Sequence, residues 1–126
     1  NASIICISSV AGRVGYAFRT PYSATKWAII GFMKSLAVEL GPDGIRANAI
    51  LPGIVEGPRI DKVIEARSKE MNLSFEDMKT QMISKVSLRT TVTAQDVANQ
   101  AIFLCSPLGA KISGQPISVC GNVEVL

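Results

Sequence analysis

Histidine is absent from the 126 residues. Its absence removes every Ser-His or Cys-His nucleophile pair and the commonest zinc ligand, so metal-dependent chemistry is not expected. Cysteine is sparse: Cys6, Cys105 and Cys120 stand in apolar settings with no paired spacing. An odd, unpaired set predicts buried thiols in a reducing cytoplasm, not a disulfide framework. Neither an aromatic-basic patch nor a basic amphipathic face appears, and the net charge of +3 is dispersed along the chain. These absences argue against nucleic acid or a membrane surface as partner. The most apolar helical pattern is interrupted by Lys26, Lys34 and Glu39, so it is not a membrane span. No signal peptide, internal repeat or low-complexity segment is visible within these residues. The chain begins with Asn1, not Met, and runs almost at once into a buried strand. With a mean hydropathy of +0.30, high for so small a unit, this predicts half of a larger domain whose exposed apolar surface is covered by the rest.

Pro21-Tyr22-Ser23-Ala24-Thr25-Lys26 opens the longest helical pattern. Residues four apart on a helix lie one above the other, so Tyr22 and Lys26 can touch one small molecule together. A phenol beside a fixed ammonium suits proton transfer at an oxygen, because the cation stabilises the phenolate. The same pair occurs on ordinary amphipathic helices as a half-buried Tyr beside a solvated Lys. Ser9 stands thirteen residues before Tyr22, at the end of the apolar run Ile4-Ile5-Cys6-Ile7-Ser8. That run reads as a buried parallel strand, and ligands of open parallel α/β sheets collect outside the carboxyl ends of strands. A second apolar strand, Ile45 to Leu51, ends in Pro52-Gly53.

Ile7-Ser8-Ser9-Val10-Ala11-Gly12, Tyr22-Ser23-Ala24-Thr25-Lys26, Gly44-Ile45-Arg46-Ala47-Asn48, Pro52-Gly53 and Ser113-Gly114-Gln115 together resemble the short-chain dehydrogenase/reductase family. The resemblance runs the length of the chain and corresponds to the carboxyl-terminal half of the family's usual sequence. The glycine-rich phosphate loop and Asn-Ala-Gly segment of the family have no counterpart. The implied fold is α/β, the second half of a doubly wound parallel-sheet, Rossmann-like domain. Residues 1–126 would form a partial NAD(P)-binding domain with a helical lid insert at about 54–90.

Along the chain, Ser3 to Ser8 is expected as a strand and Ser9 to Thr20 as a loop. In that loop Arg13, Tyr16, Phe18 and Arg19 are either substrate contacts or solvated surface. A helix from Pro21 to Leu40 stops at Gly41-Pro42 and carries apolar residues over more than one face, predicting burial on two sides. The second side, with Trp27 and Phe32, meets either a symmetry mate, as the resemblance implies, or the core of its own chain. Pro58 to Glu70 and Phe75 to Lys85 read as helices, with Ser74 and Asp77 at the second helix's start. Ile60, Val63, Ile64 and Arg67 recur along the first. Met71, Met78 and Met82 line a pliable pocket or fill packing. The last helix begins at Thr93 with Asp96 in its first turn, directs Val97, Ala101, Ile102 and Leu104 inward, and ends at Ser106-Pro107. Pro116 to Cys120 is the final strand.

The resemblance assigns roles. Ser9, Tyr22 and Lys26 would be catalytic, with Tyr22 moving the proton, Lys26 binding the nicotinamide ribose and Ser9 holding the substrate oxygen. Tyr22, Lys26, Pro52, Gly53 and the main chain of Val55 would contact NAD or NADP. The implied activity is interconversion of a small-molecule alcohol and a carbonyl by a cytoplasmic homodimer or homotetramer. A truncated, non-catalytic interaction or oligomerisation module is the alternative. Two positions depart from the family's pattern: Gly57 stands where a cofactor-touching Thr is common, and Cys120-Gly121 stands where Asp-Gly is frequent.

Overall fold

The computed structural model describes residues 2–123. Its centre is a three-stranded parallel sheet in the order β1-β2-β3, with β1 at Ala2–Ile7, β2 at Ile45–Pro52 and β3 at Pro116–Val119. Helix α1 spans Thr20–Leu40, α2 Pro58–Glu70, α3 Phe75–Ile83 and α4 Ala94–Cys105. Ala47, Ala49 and Leu51 of β2 pack with Met33 of α1 and with Ile4 and Cys6 of β1. The alternate residues serve the other face: Arg46 donates there to the Leu104 carbonyl at the end of α4 (2.7 Å). Helices thus cover both faces of a parallel sheet, the Rossmann-like α/β arrangement.

Start and stop signals explain the boundaries. Pro21 and Pro58 sit in the first turns of α1 and α2, where a missing N–H costs nothing. Ser74 caps α3 by accepting from the Asp77 N–H (3.1 Å). Thr93 and Asp96 form a reciprocal capping box on α4. Helix α3 ends two residues before the expected Lys85, where the chain turns so that Ser87 and Leu88 N–H groups donate to the Asn122 and Gly121 carbonyls.

Four expectations are corrected. Only one side of α1 is covered by this chain: Met33 is buried, whereas Trp27 and Phe32 are 52% and 60% exposed, so packing within the chain does not account for them. Ile102 is exposed because the inward stripe of α4 is Val97, Ala101 and Leu104, and Ile102 lies about 100° round the helix from Ala101. The same offset from Leu104 exposes Cys105, while Cys6 and Cys120 are half-buried. Met78 and Met82 pack with Ile64 in a small core between α2 and α3, but Met71 is exposed just past the end of α2.

Candidate active site

Ser9 leaves β1 as the cap of a short 3-10 turn, Val10–Gly12, and its hydroxyl oxygen accepts from the Ala11 N–H (3.2 Å). Two hydroxyl bonds lock this turn onto α1. Ser8 donates to the Lys26 carbonyl (2.8 Å) and Ser23 donates to the Ala11 carbonyl (3.0 Å). The approach is close enough to require glycine at position 12, where an added β-carbon would meet Ser8 Oγ at 2.6 Å. Sequence-distant Ser9 is therefore held in a fixed relation to the first turns of α1.

Tyr22 and Lys26 share one face of α1, with Lys26 Nζ 5.6 Å from the centre of the Tyr22 ring. The Arg19 guanidinium lies 5.1 Å from the same ring and 5.5 Å from that of Tyr16. The two tyrosines meet edge to face at 6.3 Å. Arg67 of α2 closes the group, donating to the Tyr16 hydroxyl (3.1 Å).

At the end of β2, Gly53 donates its N–H to the Val119 carbonyl (2.9 Å). A β-carbon there would fall 2.7 Å from Cβ of Cys120, so the missing side chain admits Cys120 itself. Beyond it the chain forms a parallel bridge between Val55 and Val92. The Ile54 carbonyl accepts from the Val92 N–H and the Glu56 N–H donates to the Val92 carbonyl, each at 2.8 Å. The peptide N–H and C=O of Val55 itself consequently turn away from Val92. One donor and one acceptor on adjacent backbone suit a primary carboxamide, and Val55 could hold one.

Ser9, Tyr22, Lys26, Pro52, Gly53 and Val55 line a single cleft of about 510 Å³ at the carboxyl ends of β1 and β2. This is the size of a small-molecule site and lies where a parallel sheet presents one. Tyr16 and Arg19 from the loop line it as well. Arg13 does not: it turns to β3 and donates to Ser118 Oγ (2.9 Å) and the Pro116 carbonyl. Phe18 does not either, being wholly exposed on a left-handed backbone (φ 62°). Met82 lines the cleft, whereas Met71 and Met78 do not.

Periodicity put Arg67 on the recurring face of α2 but did not name it as a cleft residue. Ile60, Val63 and Arg67 form one stripe of α2 facing the cleft, so a cation on an otherwise apolar stripe was the available signal. Among the described residues no group of three or more His, Cys, Asp or Glu side chains comes together. Nor is any described helix long and apolar enough to cross a membrane.

Residues 1–122 match the family model described as enoyl-(acyl carrier protein) reductase. The chain is 35% identical over 120 residues to the 3-oxoacyl-(acyl-carrier-protein) reductase FabG of Aquifex aeolicus, covering 95% of this chain and 44% of that protein. Among solved structures it is similar to sorbitol-6-phosphate 2-dehydrogenase SrlD from Erwinia amylovora, with a TM-score of 0.91 and 29% identity over 98% of this chain and 49% of that one. It is similar too to actinorhodin polyketide ketoreductase with NADPH, with a TM-score of 0.90 and 34% identity over 96% and 46%. The chain spans about half the length of the curated relatives it matches. A match over nearly its whole sequence, on a parallel sheet with helices on both faces, shows that the chain belongs to the short-chain dehydrogenase/reductase family.

Proposed function

We propose that this chain is the catalytic, carboxyl-terminal half of an NAD(P)-dependent oxidoreductase that interconverts an alcohol and a carbonyl. The observation that carries the proposal is the Lys26 ammonium poised 5.6 Å from the Tyr22 ring in the cleft that Ser9 also lines. Tyr22 gives its phenolic proton to the carbonyl oxygen during reduction and takes it back during oxidation. Lys26 sets its ammonium beside the Tyr22 ring and would donate to the cofactor ribose. Ser9 accepts from Ala11 N–H, which leaves its own hydroxyl proton to donate to the substrate oxygen as negative charge develops there. The backbone of Val55 would hold the carboxamide of the nicotinamide, with Pro52 and Gly53 flanking it. When bound, the nicotinamide supplies or accepts the hydride.

Replacing Tyr22 by Phe in the protein that carries this chain tests the assignment. Turnover should fall by about 10²–10⁴-fold, the usual share of a general acid, with cofactor affinity nearly unchanged. Turnover within a few-fold of the parent would remove Tyr22 from the acid role.

The half-exposed Trp27 and Phe32 support association through α1 as a homodimer or homotetramer, with a second copy covering the uncovered side. Light scattering of the whole protein at micromolar concentration checks this, and a strict monomer would sink it. A cytoplasmic setting accords with three free thiols. The same uncovered face also favours the second reading, a non-catalytic association module, which requires that Tyr22→Phe change nothing but packing.

A further inference from the structure

We propose that the substrate carries an anionic group, a carboxylate or phosphate, which Arg19 and Arg67 hold beside the reacting carbonyl; this rests on the oxidoreductase reading above. The cleft is far more basic than the chain around it. The sequence has 13 Lys and Arg against 10 Asp and Glu. Of the charged residues that line the cleft, Arg19, Lys26, Arg59, Arg67 and Lys85 are cations and Glu56 alone is an anion. Glu56 is already engaged, accepting from the Thr91 hydroxyl.

Arg19 and Arg67 are the two guanidinium groups of the cleft that are held in place. The Arg19 guanidinium lies over the faces of Tyr16 and Tyr22, and Arg67 is fixed by the Tyr16 hydroxyl. One tyrosine therefore positions two guanidinium groups from opposite parts of the sequence, the loop before α1 and the end of α2. Neither has a carboxylate partner among the described residues, where the one ion pair is Lys69 with Glu65 on the surface. Two like charges drawn together in a concave site raise each other's electrostatic energy, and an anion between them relieves it. Each guanidinium has five N–H donors, and the bonds described leave most of them available to planar oxygens. Arg19 stands over Tyr22 itself, so the anion it holds lies at the reacting end of the cleft. That placement assigns the pair to the substrate and not to the cofactor's diphosphate.

The test compares two matched pairs of ketones with the protein that carries this chain: acetoacetate against its methyl ester, and dihydroxyacetone phosphate against dihydroxyacetone. The charged member of one pair should be favoured in kcat/KM, and the pair that shows the preference tells carboxylate from phosphate. Arg67→Gln and Arg19→Gln should each reduce that preference by roughly ten- to a hundredfold, with Arg67→Lys in between. Absence of a charge preference in both pairs overturns the proposal, as does a preference that the substitutions leave intact. An equal rise in cofactor KM with either ketone, without loss of preference, also overturns it by moving the arginines to the cofactor.

Calorimetric titration of inorganic phosphate and acetoacetate without cofactor separates the two levels. Binding that Arg67→Gln weakens by at least about tenfold upholds the anion site even if no ketone turns over, in which case the redox reading alone fails. No binding of either anion, with no turnover, overturns the site.

Discussion

A β-carbon on Gly12 would stand 2.8 Å from the Lys26 carbonyl oxygen. The turn that carries Ser9 and the helix that carries Tyr22 and Lys26 thus touch through backbone, where no flexible side chain can give way. Gly12→Ala should cost about 1–3 kcal/mol, the usual range for an overpacked methyl, and should lower turnover by shifting Ser9 relative to Tyr22. Urea unfolding and a turnover assay on the same preparation check both effects. Unchanged stability and rate would mean that the contact relaxes freely.

Ser9→Ala removes both the cap of the 3-10 turn and the proposed hydroxyl donor. The cap is worth about 1 kcal/mol of stability, whereas loss of an oxyanion donor lowers kcat by about 10²–10³-fold. Steady-state rates read against the melting temperature separate the two. A rate that falls only in proportion to folded protein would reduce Ser9 to a structural cap.

Asn48 is fully buried on β2 and spans to the turn before β3. Its Nδ2 donates to the Ile112 carbonyl (2.8 Å) and its Oδ1 accepts from the Gln115 N–H (3.0 Å). Asn48→Leu strands one backbone acceptor and one donor away from water, and should cost at least about 2 kcal/mol in denaturant unfolding. A smaller loss would mean that water or a rearranged turn satisfies both groups.

Asp96 gives α4 a defined response to acid. The Thr93 N–H, and then the Thr93 hydroxyl, donate to its carboxylate and hold its pKa below the usual carboxylate value. Because the folded state has the lower pKa, the carboxylate's contribution is fully present above the unfolded value. It is lost as pH falls through the folded one. Asp96→Asn should therefore differ most from the parent in urea midpoint near neutral pH, with the gap closing as pH falls through and below the usual carboxylate range. A gap independent of pH would show that the cap works through shape alone.

How much of this was legible follows from sequence distance. Tyr22 and Lys26 lie one helical turn apart, so spacing alone put them on one face. Ser9 and Pro52-Gly53 were legible because each ends an apolar run, and strand ends of a parallel sheet share one edge. The capping pairs Ser74 with Asp77 and Thr93 with Asp96 are local and could be read directly. The partners of Arg67 and Asn48 lie 51 and up to 67 residues away, beyond any local pattern. Ile102 and Cys105 misled for a related reason, and the cover of Trp27 and Phe32 stayed open between this chain and a second copy. Apolar character says that a residue prefers cover, and says nothing of whether this chain supplies it.

The bridges Val55 with Val92 and Val86 with Val123 have a consequence for how the cleft can diversify. They pin both roots of the segment that carries α2 and α3, one at Val55 and the other at Val86. Once the ends are pinned, lengthening such an insert is cheap, about 0.6 kcal/mol for each doubling of its length. Residues 57–85 thus form an exchangeable cassette that includes the Arg67 wall of the cleft. A chimera receiving a foreign cassette should keep the melting transition of the sheet while its choice of substrate changes. Descendants of this scaffold can then trade specificity without renegotiating the fold.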